Sequence, residues 1–170
     1  MKRTILLGLI AISAGCAEDP LKGLEPGTGP AVSDADLKML SQPAGVWAYF
    51  ENVHATIARA STSPHPETVI RVRYNTFAAT QLDAIGRVKA GAVFPDSSVI
   101  VKELYNGATL STTAIMMKLN GSQSAGFGGW IWAVYAADGT VQYSTAGRGG
   151  ACSSCHSSGI DYTRMNDSHP

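Results

Sequence analysis

The sequence predicts an α+β fold: an antiparallel β-sheet with flanking helices, followed by a C-terminal CxxCH segment. Three observations carry this. The runs TVIRVRYN, SVIVKELY and TTAIMMKL are rich in β-branched side chains, and the first alternates apolar residues with Arg71 and Arg73, so all three read as strands. Asp138-Gly139 stands between two further alternating runs in WIWAVYAADGTVQYST, the pattern of a hairpin with a tight primed turn. Helix signals come ahead of the strands and once between them.

Taken in chain order, Lys2 and Arg3 precede an apolar run from Thr4 to Ala14, which reads as an export signal over residues 1–15. A permanent membrane span needs about twenty apolar residues, so removal is expected. ISAG before Cys16 resembles a bacterial lipoprotein cleavage box, with Ser13 where such boxes carry Leu. Cys16 is then the expected lipid attachment site; ordinary cleavage after Ala17 is the alternative. Residues 16–32 are rich in Gly and Pro without apolar periodicity, the composition of a flexible tether, and residues 33–170 form the expected folded domain.

Ser33 caps DADLKML, and Asp36 completes a capping box, so a short helix is expected to run to Leu40 before Pro43. VWAYFENVHATIA spaces Trp47 and Phe50 as on a second helix that would bury both against the sheet. After the first strand, Asn75 or Thr76 can cap FAATQLDAIGR, a helix with Phe77, Leu82 and Ile85 inward and an end at Gly86 or Gly91. The 13 basic and 13 acidic residues balance, and loss of Lys2 and Arg3 leaves a slight acidic excess, which carries no nucleic-acid footprint. With 45% hydrophobic and 15% charged residues the chain can bury one core.

The segment GACSSCHSSG, Gly150 to Gly159, allows three chemistries: a redox dithiol, a zinc site or a haem anchor. Structural zinc usually takes four Cys or His ligands, and no second CxxC or HxxxH accompanies this one among three cysteines. Dithiols of the thioredoxin type sit early in the chain, after a first strand. Haem attachment suits the order of residues, with Cys152 and Cys155 as thioether anchors for one covalent haem c and His156 as the proximal iron ligand. Haem c is attached outside the cytoplasm in bacteria, which agrees with an export signal and a periplasmic location.

The succession FPDSSVIVKELY, AIMMKL, GGWIWAVYAADGTV, ACSSCH and DYTR resembles the cytochrome P460 family, including the relatives called cytochrome c′-β, from about Trp47 to Asp167. The resemblance implies a periplasmic, mainly antiparallel β protein, a homodimer, and a five-coordinate c haem whose open face meets nitric oxide or hydroxylamine. Lys102 in VIVKE matches the lysine that hydroxylamine-oxidising members bond covalently to the porphyrin edge; its bland alternative is a solvated strand lysine. Those members also carry an acidic residue shortly before the first Cys. Here that stretch is YSTAGRGGA, with Arg148 in its place, able to pair with a haem propionate or to donate to a bound ligand, or simply solvated.

The other candidates have structural readings. Met116 and Met117 are expected as core filling rather than axial ligands, and Met165 would need a tight return loop to reach iron. His54, His65 and His169 lack partner spacing and read as surface or capping residues, while Phe50, Phe77, Phe94 and Trp130 read as core. Three functions follow in order: a small-ligand haem protein that sequesters or oxidises nitrogen oxides, a six-coordinate electron carrier serving an unknown redox partner, and a sensor or structural lipoprotein touching the membrane only through its anchor.

Overall fold

The computed structural model describes residues 27–166, so the expected signal peptide, Cys16 and His169 lie outside the described residues. One antiparallel sheet of seven strands organises them. Strands β1 (Ala48–Tyr49), β2 (Ile57–Ala58), β3 (Val69–Tyr74), β4 (Val99–Asn106), β5 (Thr109–Lys118), β6 (Trp130–Ala136) and β7 (Val141–Tyr143) are ordered β1-β3-β4-β5-β6-β7, with β2 also pairing β3. Alternation sends Ile70, Val72, Tyr74, Ile100, Leu104, Met116, Trp130 and Trp132 into one buried cluster. Val99, Val101, Ile115, Ile131 and Tyr135 join Leu37 in a second cluster on the other face. The three strands and the Asp138-Gly139 hairpin expected from sequence are all present, and Gly139 takes the φ of 86° that the turn requires.

Helix α1 (Asp34–Leu40) has the expected capping box between Ser33 and Asp36 and lays Leu37 on the second cluster. Asp34 accepts from Ser144 Oγ at 2.8 Å and Thr145 N at 2.7 Å, and Tyr135 donates to the Asp34 carbonyl at 2.7 Å. Residues 27–32, the described end of the expected tether, are docked: Gly29 N donates to Gly121 O at 2.7 Å, and Ser124 bonds both the N–H and the carbonyl of Val32. Their composition is loop-like, but these bonds tie them to the 121–124 turn. No helix of the described residues is long and apolar enough to cross a membrane.

One expected helix is replaced by turns and a second is cut to a single turn, for one shared reason. Residues 48–58 form β1, a tight turn and β2, with Glu51 and Asn52 left-handed at φ 54° and 58°, so Trp47 and Phe50 pack on opposite faces of the sheet. Helix α2, capped by Asn75, spans only Thr76–Ala79; Phe77 and Ile85 are exposed rather than core, and Leu82 alone packs inward. The two turns dock on each other. Glu51 N donates to Gly86 O at 3.1 Å, Asn52 Nδ2 donates to Ala84 O at 3.1 Å, and Arg87 pairs with Glu51. Asp83 Oδ1 accepts from Ile85 N and Arg87 N, an Asx turn that competes with helix at that point.

Candidate functional site

The last described helix, α3 (Gly150–His156), carries the CxxCH motif. Its N-cap, Gly149, has φ 73°, and a Cβ there would collide with the Trp132 indole; only glycine lets the helix start so close to β6. Spacings of three and four residues put Cys152, Cys155 and His156 on one side of the helix. Cys152 and His156 line a cleft over the first cluster, while Cys155 is exposed and outside that lining.

His156 meets Trp132 edge-on, with ring centroids 4.7 Å apart, and its Nδ1 lies 2.8 Å from the Tyr162 carbonyl. A carbonyl only accepts, so Nδ1 carries the proton and Nε2 is the nitrogen able to ligate a metal. The carbonyl is supplied by the tight return loop that Met165 needs. Asp161 and Tyr162 are left-handed at φ 44° and 63°, a conformation costing roughly 1–3 kcal/mol per residue. Lys118 of β5, only 4% exposed, holds the turn through both Asp161 oxygens at 2.8 and 3.0 Å. Phe94 N donates to Asp161 Oδ2 and Trp130 Nε1 to the Asp161 carbonyl, both at 2.8 Å. A buried ion pair thus fixes the turn that orients His156, and Met165 returns to the cleft, 6% exposed.

The floor of the cleft is the apolar face of β4, β5 and β6, including Ile100, Ala114, Met116 and Trp132. Lys102 lies in it, opposite Val72 and Ala114 in register. It is half-buried rather than a solvated strand lysine. Burial pulls its ammonium down to about 8, against the opposing pull of the Glu67 carboxylate, so neutral amine is available near neutrality. Burial pushes the Cys152 thiol up to about 11, with Cys155 adding to the shift. A redox dithiol needs the opposite, a lowered thiol pKa, and that reading does not fit. Among the described residues no group of three His, Cys, Asp or Glu is placed to hold a metal ion.

The residues fit a flat apolar group anchored from α3. The walls are hydrocarbon and aromatic, one imidazole is oriented to ligate, and the buried Trp132 Nε1 has no hydrogen-bond partner within the protein. An unpaired buried N–H costs about 1–3 kcal/mol.

Arg148 does not line the cleft; its Nε donates to Ala125 O at 3.0 Å, on the other side of the left-handed start of α3. Arg164 lines it instead, with Nη1 bonded to the Cys155 carbonyl at 2.9 Å. His54 is exposed and stacks on Tyr49, as a surface histidine. His65 departs from that expectation: it is half-buried and lines the same cleft as Lys102 and His156. His65 stands between two prolines in Ser63-Pro64-His65-Pro66-Glu67, a loop whose ends, Ser63 and Glu67, are both buried. Comparison with known families returns one match, a model described as Cytochrome P460, over residues 48–163, well over half the chain. No curated protein and no solved structure matches.

Proposed function

The chain belongs to the cytochrome P460 family, which makes it a haem protein, and from this we propose that it holds one haem c covalently and binds small nitrogen oxides at an open iron site. The observation that carries the reading is the convergence of Cys152, His156 and Lys102, 50 residues apart in sequence, on one apolar cleft. Haem supplies an iron centre that binds nitric oxide or hydroxylamine. Cys152 and Cys155 are the covalent anchors, His156 the proximal ligand through Nε2, and the hydrocarbon walls exclude water from the bound ligand. The export signal expected over residues 1–15 supports a periplasmic location with Cys16 as lipid anchor, and the family resemblance suggests a homodimer.

Lys102 has the burial and the partly neutral amine that a bond to the porphyrin edge requires. The stretch before Cys152 carries Gly147 and Arg148 and no carboxylate, so ligand binding is expected to outlast hydroxylamine turnover. A second reading, a six-coordinate electron carrier, is favoured by the presence of Met116, Met165 and His65 in the cleft. Optical spectra of oxidised and reduced protein with and without carbon monoxide separate the two. A high-spin reduced form that binds carbon monoxide supports the open site; a low-spin form indifferent to it supports the carrier. Haem that stains on a denaturing gel and disappears in the Cys152→Ala/Cys155→Ala variant tests the anchor, and intact mass of wild type beside Lys102→Ala reports any lysine bond.

A further inference from the structure

The loop between β2 and β3 reaches over the cleft, and its construction is unusually stiff. Prolines on both sides of His65 fix their own φ and restrict the residue before each to extended backbone. Ser63 and Glu67 are buried at 7% and 5% exposure, Pro64 and Pro66 are exposed, and the half-buried His65 lines the cleft.

Both ends of the loop are fastened. Arg59 N donates to Thr68 O at 3.2 Å, Arg59 Nη1 bonds the carbonyls of Ala60 and Ser63, and Thr68 N donates to Tyr105 O at 3.0 Å. Glu67 accepts from Ser111 Oγ at 3.2 Å. The two imidazoles of the cleft are carried by different parts of the sheet. His156 packs on Trp132 of β6, whereas His65 hangs from the loop preceding β3, with β4 and β5 between them.

We propose that His65 is the ligand-facing residue of the cleft, donating an N–H hydrogen bond to a small ligand bound on the side of the haem away from His156. This rests on haem occupying the cleft. Burial, reinforced by the positive charge of Lys102, pulls the His65 imidazolium down to about 4, so at neutral pH the ring is neutral and keeps one N–H to donate. The ligand class it selects is one whose outer atom accepts a hydrogen bond, as the oxygen of nitric oxide or hydroxylamine does. Purely apolar diatomics gain nothing from it.

The test uses the purified holoprotein, its His65→Leu variant and its His65→Gln variant, with carbon monoxide and nitric oxide as probes. The reduced wild type is expected to show a lower C–O stretching frequency than His65→Leu, and nitric oxide is expected to leave His65→Leu roughly three- to tenfold faster, the value of one hydrogen bond. His65→Gln keeps an N–H and is expected to fall between them. Identical stretches and release rates in all three proteins would overturn the role of His65 while leaving the haem reading intact. A wild type that refuses carbon monoxide, with binding unlocked in His65→Leu, would make His65 an iron ligand and overturn the proposal in favour of the electron carrier. A purified chain without haem absorbance would overturn both readings together.

Discussion

Lys102 and Glu103 are adjacent on β4 and stand on opposite faces of the sheet, one in an apolar-walled cleft and the other in a network of arginines. Glu103 joins two of them. Arg71 Nε lies 2.6 Å from Glu103 Oε2, and Arg73 Nη2 lies 3.4 Å from Oε1. Arg73, 1% exposed, also donates to the carbonyls of Ser41 and Gln42 and stacks on the Trp47 ring at 4.3 Å. The arginine is buried in order to bolt the end of α1 to the sheet. On the other face Lys102 lines the cleft beside hydrocarbon and the side chains of His65, His156 and Arg164, and the Glu67 carboxylate does not offset its desolvation. Burial lowers the pKa of both cations; what differs is that Arg73 is bonded into the end of α1 and the sheet, whereas Lys102 faces a cleft.

The comparison breaks first at Glu103. Glu103→Ala leaves the buried Arg73 with its backbone partners but without its carboxylate and is expected to lower unfolding free energy by about 3–5 kcal/mol in urea melts. A loss under 1 kcal/mol would make the arginine face as tolerant as the cleft. Asp161→Ala should come next, at about 3 kcal/mol, because it leaves Lys118 buried without its carboxylate and releases two left-handed residues. It should also disturb the haem spectrum, since the carbonyl that orients His156 lies in that turn; an unchanged spectrum would disconnect the ion pair from the ligand.

Lys102 sharpens the contrast through pH. Its folded pKa, about 8, lies below the unfolded value of 10.5, so between those limits the unfolded chain binds the extra proton. Stability of haem-free protein should therefore rise with pH across that window, and the Lys102→Met variant should lack the rise. A parallel pH profile in the variant would mean that the lysine is solvated after all. The smallest effect is expected at Ser33→Ala, which removes the α1 cap on the arginine face and should cost about 1 kcal/mol with the haem spectrum unaltered.

How far the sequence can be read follows the range of the forces involved. β3, β4, β5 and the β6–β7 hairpin were legible because alternation and Asp138-Gly139 are local signals. The helices expected around Trp47 and Phe77 were not, since what replaces them is a contact between turns at Glu51 and Gly86, 35 residues apart. Within the site, CxxCH and the lysine in VIVKE could be picked out as short strings. His65 could not, because its place depends on a loop crossing strands written later in the chain. Arg148 is the converse case: near Cys152 in sequence, it is outside the cleft lining and bonds to the Ala125 carbonyl.

Asp34 carries one more consequence, for the order in which the molecule assembles. Its carboxylate bonds to Ser144 and Thr145, 110 and 111 residues later, and closes nearly the whole described chain into a ring. Contacts of such separation pay the loop-closure entropy last, after the hairpins between neighbouring strands have formed. The bonds of Asp34 are thus absent from the rate-limiting nucleus and present in the finished protein. They act as a latch on the unfolding rate, setting how long the native molecule lasts rather than how quickly it forms.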